Sequence, residues 1–180
     1  RRLLLRFETS HDELQHRAYH DVLTQLPNRA MFMDAFKRSL HRLERNGGSG
    51  SLLFVDLDHF KAVNDALGHE MGDLLLQQVA RRIQDCVREG DLVARLGGDE
   101  FVVLVEGHDD AHRMAEKILT VLRPDYQLGN HAAHVTASIG VSCFPQDGND
   151  LNGLLSAADS AMYQAKTAGR DGVQFYADPE

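Results

Sequence analysis

The chain of 180 residues is 43% hydrophobic and carries a formal net charge of −8. This length allows one domain with a substantial core, while the acidic balance argues against a long nucleic acid as partner, because such a partner usually requires a basic face. No stretch approaches the ~20 apolar residues that span a bilayer, so we expect a soluble, cytoplasmic domain, which is compatible with a membrane anchor elsewhere in a parent protein.

The first 18 residues are rich in Leu and charge and contain neither Gly nor Pro, which predicts a helix. The chain begins at Arg1 rather than Met, and we interpret it as a piece of a longer protein. Residues 1–18 are then either a frayed extension or, as we favour, the end of a helical stalk that joins an upstream sensory domain. We expect the domain itself at residues 19–177, followed by a tail at 178–180.

Helices and strands alternate irregularly along the rest of the chain. Apolar residues at three- and four-residue steps predict helices at 29–45, capped by Asn28, at about 68–87, at about 110–122 and at 151–168. Strands are predicted at 52–57, 91–96, 101–105, 134–143 and 173–176, with a turn after the first strand. The order predicts an α/β sandwich around one mixed, largely antiparallel sheet. Cys86 and Cys143, isolated in apolar patterns, predict buried thiols rather than a disulfide.

The segment 96–101 lies between two predicted strands and predicts a tight hairpin turn. Gly97 and Gly98 supply the positive φ angles that such a turn needs, and they leave the backbone open to an approaching ligand. Asp99 and Glu100 follow at once. Taken alone, an acidic pair at a turn is as consistent with a hydrated surface loop as with a functional site.

Two further acids, Asp56 and Asp58, follow the apolar run of the strand at 52–57. The end of a strand is a place where a carboxylate can meet one from a neighbouring hairpin. Carboxylates brought together repel each other unless a cation lies between them. The two acidic segments together therefore predict a cation site.

These residues carry a resemblance to a known family. The word at 97–101, Gly-Gly-Asp-Glu-Phe, is the signature from which GGDEF diguanylate cyclases take their name, and the segments 21–29, 54–65, 68–73 and 158–171 resemble its other blocks in the same order. The resemblance implies a central five-stranded sheet flanked by helices, as in nucleotide cyclases and polymerase palms. It also implies an activity that joins two GTP molecules into cyclic di-GMP with release of two pyrophosphates, in a homodimer whose domains each supply one GTP.

The resemblance implies two Mg²⁺ or Mn²⁺ ions per active site. Such ions suit the attack of a ribose 3′-oxygen on an α-phosphate, because they lower the pKa of the nucleophile and neutralise phosphate charge. The expected metal ligands are Asp56, Asp99 and the carbonyl oxygen of Leu57. Glu100 is expected to be catalytic, and the sequence leaves open whether it contacts a metal or accepts a proton.

For GTP, the resemblance implies Asn64 and Asp73 as the pair that reads guanine, since one carboxylate can accept from both N1–H and N2–H of that base. His69 either supports this pocket or, as is commoner for a lone histidine, is structural. Further expected substrate contacts are Phe60, Gly97 and Gly98.

Lys166 and Arg170 are four residues apart at the end of a predicted helix, so both can point to one side. The resemblance implies that they reach the β- and γ-phosphates, and the alternative is favourable charge at a helix C-terminus. Two positions depart from the family pattern. Asp171 stands where Asn is common, which adds negative charge near the phosphates, and Gln25 replaces a frequent Gly.

Arg88 and Asp91 form an Arg-x-x-Asp pattern six residues before Gly97, the spacing of the product-inhibition site in the family. Arg88 can donate to a guanine Hoogsteen edge or a phosphate, and Asp91 can accept from guanine N1–H and N2–H. If its spacing from Gly97 is left aside, an Arg and an Asp three residues apart are usually a local salt bridge or a helix stop.

The competing function is a binding module that holds GTP or cyclic di-GMP and regulates a neighbouring phosphodiesterase. The tail 176–180 resembles the junction at which an EAL phosphodiesterase domain begins, which keeps this alternative open. The intact Asp56, Asp99 and Glu100 favour the enzyme. A palm-like fold with an unrelated nucleotide reaction is the third and least favoured alternative.

Overall fold

A five-stranded sheet in the order β2-β3-β1-β6-β7 lies at the centre of the computed structural model, which describes residues 13–107 and 110–177. The strands of the domain are β1 (Gly50–Leu57), β2 (Leu92–Gly97), β3 (Glu100–Glu106), β4 (Tyr126–Leu128), β5 (His131–Ala133), β6 (Ala137–Phe144) and β7 (Gly172–Phe175). Neighbouring strands of the sheet are antiparallel except β6 and β7, which are parallel. The predicted mixed, mostly antiparallel five-stranded sheet is therefore confirmed.

The described residues also form six helices. They are α1 (residues 13–19), α2 (Arg29–Asn46), α3 (Phe60–Leu67), α4 (His69–Cys86), α5 (Ala111–Leu122) and α6 (Leu151–Thr167). No helix among the described residues is long and apolar enough to cross a membrane. The predicted stalk lies outside the described residues over 1–12, as does the tail at 178–180, so only residues 13–18 of the stalk can be compared, and these are helical.

The central strand β1 is buried on both faces, which explains its continuous apolar run. Leu53 and Val55 belong to a core formed with α4 and α5, whereas Leu52 and Phe54 belong to a second core formed with α2 and α6. The helix α6 approaches the sheet closely at Gly140, where a Cβ atom would overlap backbone atoms of the helix. The domain is thus a three-layer sandwich.

Local sequence signals account for most element boundaries. Asn28 caps α2, as predicted, because its side-chain oxygen accepts a hydrogen bond from the Met31 amide at 3.1 Å. Both cysteines are buried and free, as predicted.

Three elements differ from the sequence prediction. The stretch predicted as a turn after β1 is the helix α3, whose Phe60, Val63 and Leu67 pack against the core although none is fully buried. Turn-forming residues between these apolar positions masked a helix only eight residues long. The β4–β5 hairpin is too short to show a pattern, and β6 begins at Ala137 rather than at residue 134.

Candidate active site

The predicted acidic residues meet at one end of the central strands. Asp56 on β1 lies directly opposite Glu100 on β3 and opposite Ser138 on β6. The β2–β3 hairpin turns through Gly97 and Gly98, whose φ angles of 148° and 50° favour glycine. Pairing in register with β1 therefore carries the hairpin acids to the end of the central strand.

The carboxyl groups of Asp56 and Asp99 lie within hydrogen-bonding reach of each other, and Lys166 Nζ donates to Asp56 Oδ1 at 3.0 Å. Only 13% of the Asp56 side chain and 21% of the Lys166 side chain are exposed. Burial, followed by the hydrogen bond with Asp99 and the negative charge of that carboxylate, raises the pKa of Asp56 to about 7, although Lys166 opposes the shift. One lysine thus compensates two adjoining carboxylates only in part.

Glu100 lies half-buried beside this pair. Burial raises its pKa above the ordinary value, and the charges of Asp56 and Asp159 add to the shift, whereas Arg29 and Lys166 oppose it. Sequence reasoning did not single out Asp159 or Arg29 as site residues. Asp159 is seven residues before Lys166 in the same helix, a spacing that places both on one helix face and was available as a signal.

The donor set at this end of the sheet suits a hard divalent cation. Two carboxylates and the adjacent carbonyl of Leu57 are oxygen ligands, which Mg²⁺ prefers, and the mutual repulsion of the carboxylates is the charge that such a cation would neutralise. Across 13–107 and 110–177, no group of three or more His, Cys, Asp or Glu side chains could hold a metal by itself. Water and substrate oxygens would have to complete the coordination.

The structure places the predicted guanine-reading residues on two adjoining helices. Asn64 belongs to α3 and Asp73 to α4. The Asn64 amide lies against Gly72, because a Cβ atom added there would overlap Asn64 Oδ1, and the Phe60 ring would be 3.4 Å from it. Asn64 therefore lies beside the residue that precedes Asp73, whose side chain is exposed. His69 is exposed at the first position of α4.

The predicted phosphate-binding residues Lys166 and Arg170 do not share one helix. The helix α6 ends at Thr167, and Arg170 lies in the following turn with a φ of 63°, so helical spacing does not set its direction. Asp171 follows with a φ of 43°, and its carboxylate accepts from Arg123 Nε at 3.0 and 3.3 Å. The extra negative charge of Asp171 is therefore paired with Arg123.

Arg88 and Asp91 lie at the start of β2, beside a cavity of about 260 Å³. Asp91 Oδ2 accepts a hydrogen bond from the backbone N–H of Arg88 at 3.2 Å, while the Arg88 guanidinium pairs with Asp110 at 2.6 Å. Burial raises the pKa of Asp91. The two side chains are thus adjacent, but each already has a partner.

Comparison with known proteins finds one matching family and several relatives. Residues 18–172 match the family described as "Diguanylate cyclase, GGDEF domain". Among curated proteins of Pseudomonas aeruginosa, the chain is 46% identical over 166 residues to the bifunctional diguanylate cyclase/cyclic di-GMP phosphodiesterase MucR, 39% over 176 residues to the cyclic di-GMP phosphodiesterase NbdA, and 40% over 169 residues to the diguanylate cyclase TpbB. These alignments cover 91%, 97% and 92% of the chain, but only 24%, 22% and 39% of the respective relatives.

A solved structure that comprises only the GGDEF domain of TpbB from Pseudomonas aeruginosa superimposes with a TM-score of 0.85. It is 39% identical in sequence, and the match covers 88% of this chain and 94% of that structure. The similarity therefore extends over a whole domain of that type.

Proposed function

Because the chain belongs to the GGDEF family of diguanylate cyclase domains, we propose that it is an active cyclase that condenses two GTP molecules into cyclic di-GMP and two pyrophosphates. The observation that carries this proposal is the shared site of the Asp56 and Asp99 carboxyl groups, with Glu100 beside them. A module that only binds nucleotides has no need to place three acids where phosphate groups would lie.

Asp56, Asp99 and the Leu57 carbonyl would hold the Mg²⁺ or Mn²⁺ ions. When bound, the ions neutralise phosphate charge and make the 3′-hydroxyl more acidic. Glu100 then accepts the proton of that hydroxyl, for which a half-buried carboxylate with a raised pKa is suited. The 3′-oxygen forms a bond to the α-phosphorus, and the bond from that phosphorus to the bridging oxygen of pyrophosphate breaks.

Substrate binding is assigned to residues around these acids. Asn64 and Asp73 form hydrogen bonds with the edge of the guanine base. They discriminate against adenine because adenine lacks the adjacent N1–H and N2–H donors. Lys166 and Arg170 bind the β- and γ-phosphates through charge-assisted hydrogen bonds. Since each domain then holds one GTP, two copies must face each other to close both phosphodiester bonds.

The decisive experiment incubates the chain with GTP and Mg²⁺ and measures cyclic di-GMP. We expect product from the wild-type chain and none from Asp99→Ala, because this variant removes a metal oxygen at a turn and leaves the core intact. Asp85→Ala, which removes an exposed acid on α4, is the matched control and should retain activity. Circular dichroism should show that all three chains fold alike, and near-wild-type product from Asp99→Ala would refute the metal assignment.

We further propose that cyclic di-GMP inhibits the enzyme at Arg88 and Asp91. The pair lies just before the strand that leads to the hairpin, so product bound there can hold two active sites apart without contacting the metals. Binding requires Arg88 to exchange Asp110 for the product, an exposed ion pair that costs little to break. Arg88→Ala should lose cyclic di-GMP binding in the micromolar range and abolish the early plateau of the progress curve, while its initial rate stays unchanged.

A regulatory module is the second candidate, because one relative at 39% identity is named only as a cyclic di-GMP phosphodiesterase. In that role the domain would bind GTP or cyclic di-GMP and control an adjacent EAL-type phosphodiesterase, with a sensory domain upstream. The same assay separates the two candidates. GTP binding without any cyclic di-GMP, at all protein concentrations, would favour regulation.

A further inference from the structure

The carboxylate of Asp58 is buried to 2% exposure and is separate in its contacts from the Asp56 and Asp99 pair. Its Oδ1 atom accepts from Ser138 Oγ at 2.7 Å, and its Oδ2 atom accepts from Thr136 Oγ1 at 2.6 Å. A third donor, the backbone N–H of Asp171, lies 3.0 Å from Oδ2. A fully buried acid is therefore stabilised by three hydrogen bonds, two from β6 and the segment before it and one from a distant turn.

That turn, at residues 168–171, connects α6 to β7 and contains Arg170. Arg170 and Asp171 both have positive φ angles, of 63° and 43°, a conformation that residues with a Cβ atom adopt at a cost. The Arg170 N–H donates to the Ala165 carbonyl at 3.0 Å, which fixes the turn to the end of α6. The hydrogen bond from Asp171 to Asp58 fixes its other side to the end of β1.

Asp58 is two residues from Asp56 and one from Leu57, both of them expected metal ligands. Its own N–H donates to the Thr136 carbonyl at 2.8 Å, so the segment that follows β1 is held in place by backbone as well as side-chain bonds. One short segment thus carries metal ligands at one end and the anchor of the Arg170 turn at the other. Asp58 thus links the expected metal ligands Asp56 and Leu57 to the turn that contains Arg170.

We propose that Asp58 is a positioning residue for phosphate binding, which acts by fixing the turn that places Arg170 against the β- and γ-phosphates of GTP. The inference rests on the proposed function, since it assumes that GTP is the substrate. It assigns a role to the second acid of the strand end, which contacts neither substrate nor metal.

The test uses two probes that cannot be cyclised, 3′-deoxy-GTP and GMP, with Mg²⁺ and isothermal titration calorimetry. GMP lacks the β- and γ-phosphates, so it reports on guanine recognition alone. Asp58→Ala should weaken 3′-deoxy-GTP binding on the order of tenfold, the loss expected for one charged hydrogen-bond partner, and change GMP binding less than about twofold. In an Arg170→Ala background, Asp58→Ala should cause no further loss, because both changes remove the same contact.

Two further variants keep the test decisive. Asp58→Asn retains the side-chain volume and one acceptor oxygen, so it replaces Asp58→Ala if that chain fails to fold, and it should show a smaller loss of the same kind. Asp85→Ala removes an exposed acid on α4 and is the control, with little expected effect on either probe. Amide hydrogen exchange at Asp171 should be faster in the Asp58 variants than in Asp85→Ala.

Equal losses of both probes in the Asp58 variants, or an additive loss in the Arg170→Ala background, would overturn the positioning role while leaving the proposed function intact. A wild-type chain that binds neither 3′-deoxy-GTP nor GMP would overturn the proposed function, and the positioning role with it.

Discussion

Asp56 and Asp58, two residues apart at the same strand end, have opposite electrostatic environments. Asp58 is fully buried, yet three donors satisfy its charge within the fold. Asp56 is more exposed, but it faces a second carboxylate and one lysine. The acid whose charge is left uncompensated is the one available for a cation, because a satisfied carboxylate gains little from a new partner.

Because Gly72 has no Cβ atom, the Asn64 amide can occupy the space beside it. A methyl group there would overlap Asn64 Oδ1, so Gly72→Ala should displace the amide from the guanine pocket. We expect the KM for GTP to rise roughly tenfold, the value of one lost hydrogen bond to the base, with a smaller change in kcat. Steady-state kinetics with varied GTP measures this directly.

Two observations separate this effect from a change in stability. Alanine is favoured over glycine in a helix interior by about 0.5–1 kcal/mol, so the substitution should not weaken the α4 helix itself. Any fall in the melting temperature should therefore come only from the local clash with Asn64. Gly90→Ala is the control, because no atom lies within 4 Å of its added Cβ, and its initial rate should match the wild type. An unchanged KM in Gly72→Ala would remove Asn64 from the base-reading pair.

The sequence could indicate residue types at these positions, but not their partners. At Asp171 the sequence predicts only an extra negative charge near the phosphates, and the fold reveals that Arg123, 48 residues earlier, pairs with it. Likewise, Gln25 stands where the family frequently has Gly. Its φ of 61° explains that preference, because residues with a side chain adopt this backbone conformation at a cost. Contacts between residues distant in the chain leave no local signal.

At the scale of elements, the Arg95 side chain joins the segment that follows α1 to the β2–β3 hairpin. The Arg95 guanidinium donates to the Gly98 carbonyl from Nε at 3.0 Å and from Nη2 at 2.8 Å, and from Nη1 to Asp21 Oδ1 at 2.9 Å. Hydrogen bonds from Thr24 hold Asp21 in turn. The position of the Gly-Gly turn is thus tied to the start of the domain.

Arg95→Ala should therefore lower kcat roughly 10- to 100-fold, because a shift of the hairpin by about 1 Å misplaces Asp99. Asp21→Asn should have a weaker effect, since Arg95 keeps its bonds to Gly98. The control is Arg42→Ala, which removes an exposed ion pair with Glu106 at the far end of β3 and should leave kcat unchanged. Equal kcat values for Arg95→Ala and Arg42→Ala would mean that the hairpin holds its shape without this contact.

The elements that periodicity could predict are the long ones. α2, α4, α5 and α6 each have 12 or more residues and bury one face, so three- and four-residue spacing identifies them. The helix α3 has eight residues, and the β4 and β5 strands have three each, too few for a pattern to exceed the local turn signals. The strand order and the parallel β6–β7 pair were not predicted from the sequence and are known only from the fold.

At the scale of the whole molecule, the proposed reaction would join two GTP molecules held by two facing copies of the domain. All described residues of α1 are exposed, and the apolar Leu14 side chain is 64% exposed, so it is open to contact with a second copy of the helix. We expect weak self-association and a specific activity that rises with protein concentration. Assays over a wide dilution series, with analytical ultracentrifugation at the same concentrations, test this dependence.

A parallel coiled coil fused in register ahead of Leu14 should raise specific activity at low concentration. The control is the same fusion with polar residues at its core positions, which should remain monomeric. Constant specific activity on dilution would contradict the expected weak association, and an unaffected rate in the dimeric fusion would contradict the need for two facing domains.

The central place of β1 governs how late the site can form during folding. Its ladders with β3 and β6 close through long segments of chain, and the bonds that complete the site join residues 110 and 113 positions apart. Loops of this length must close before any of these contacts can stabilise the domain, which makes folding on the order of milliseconds to seconds typical of such topologies. The β2–β3 hairpin can form early and locally, but it carries Asp99 without its partner. A newly made chain therefore acquires its paired carboxylates only when the whole sheet is in register, so the proposed cyclase activity would require the completed fold.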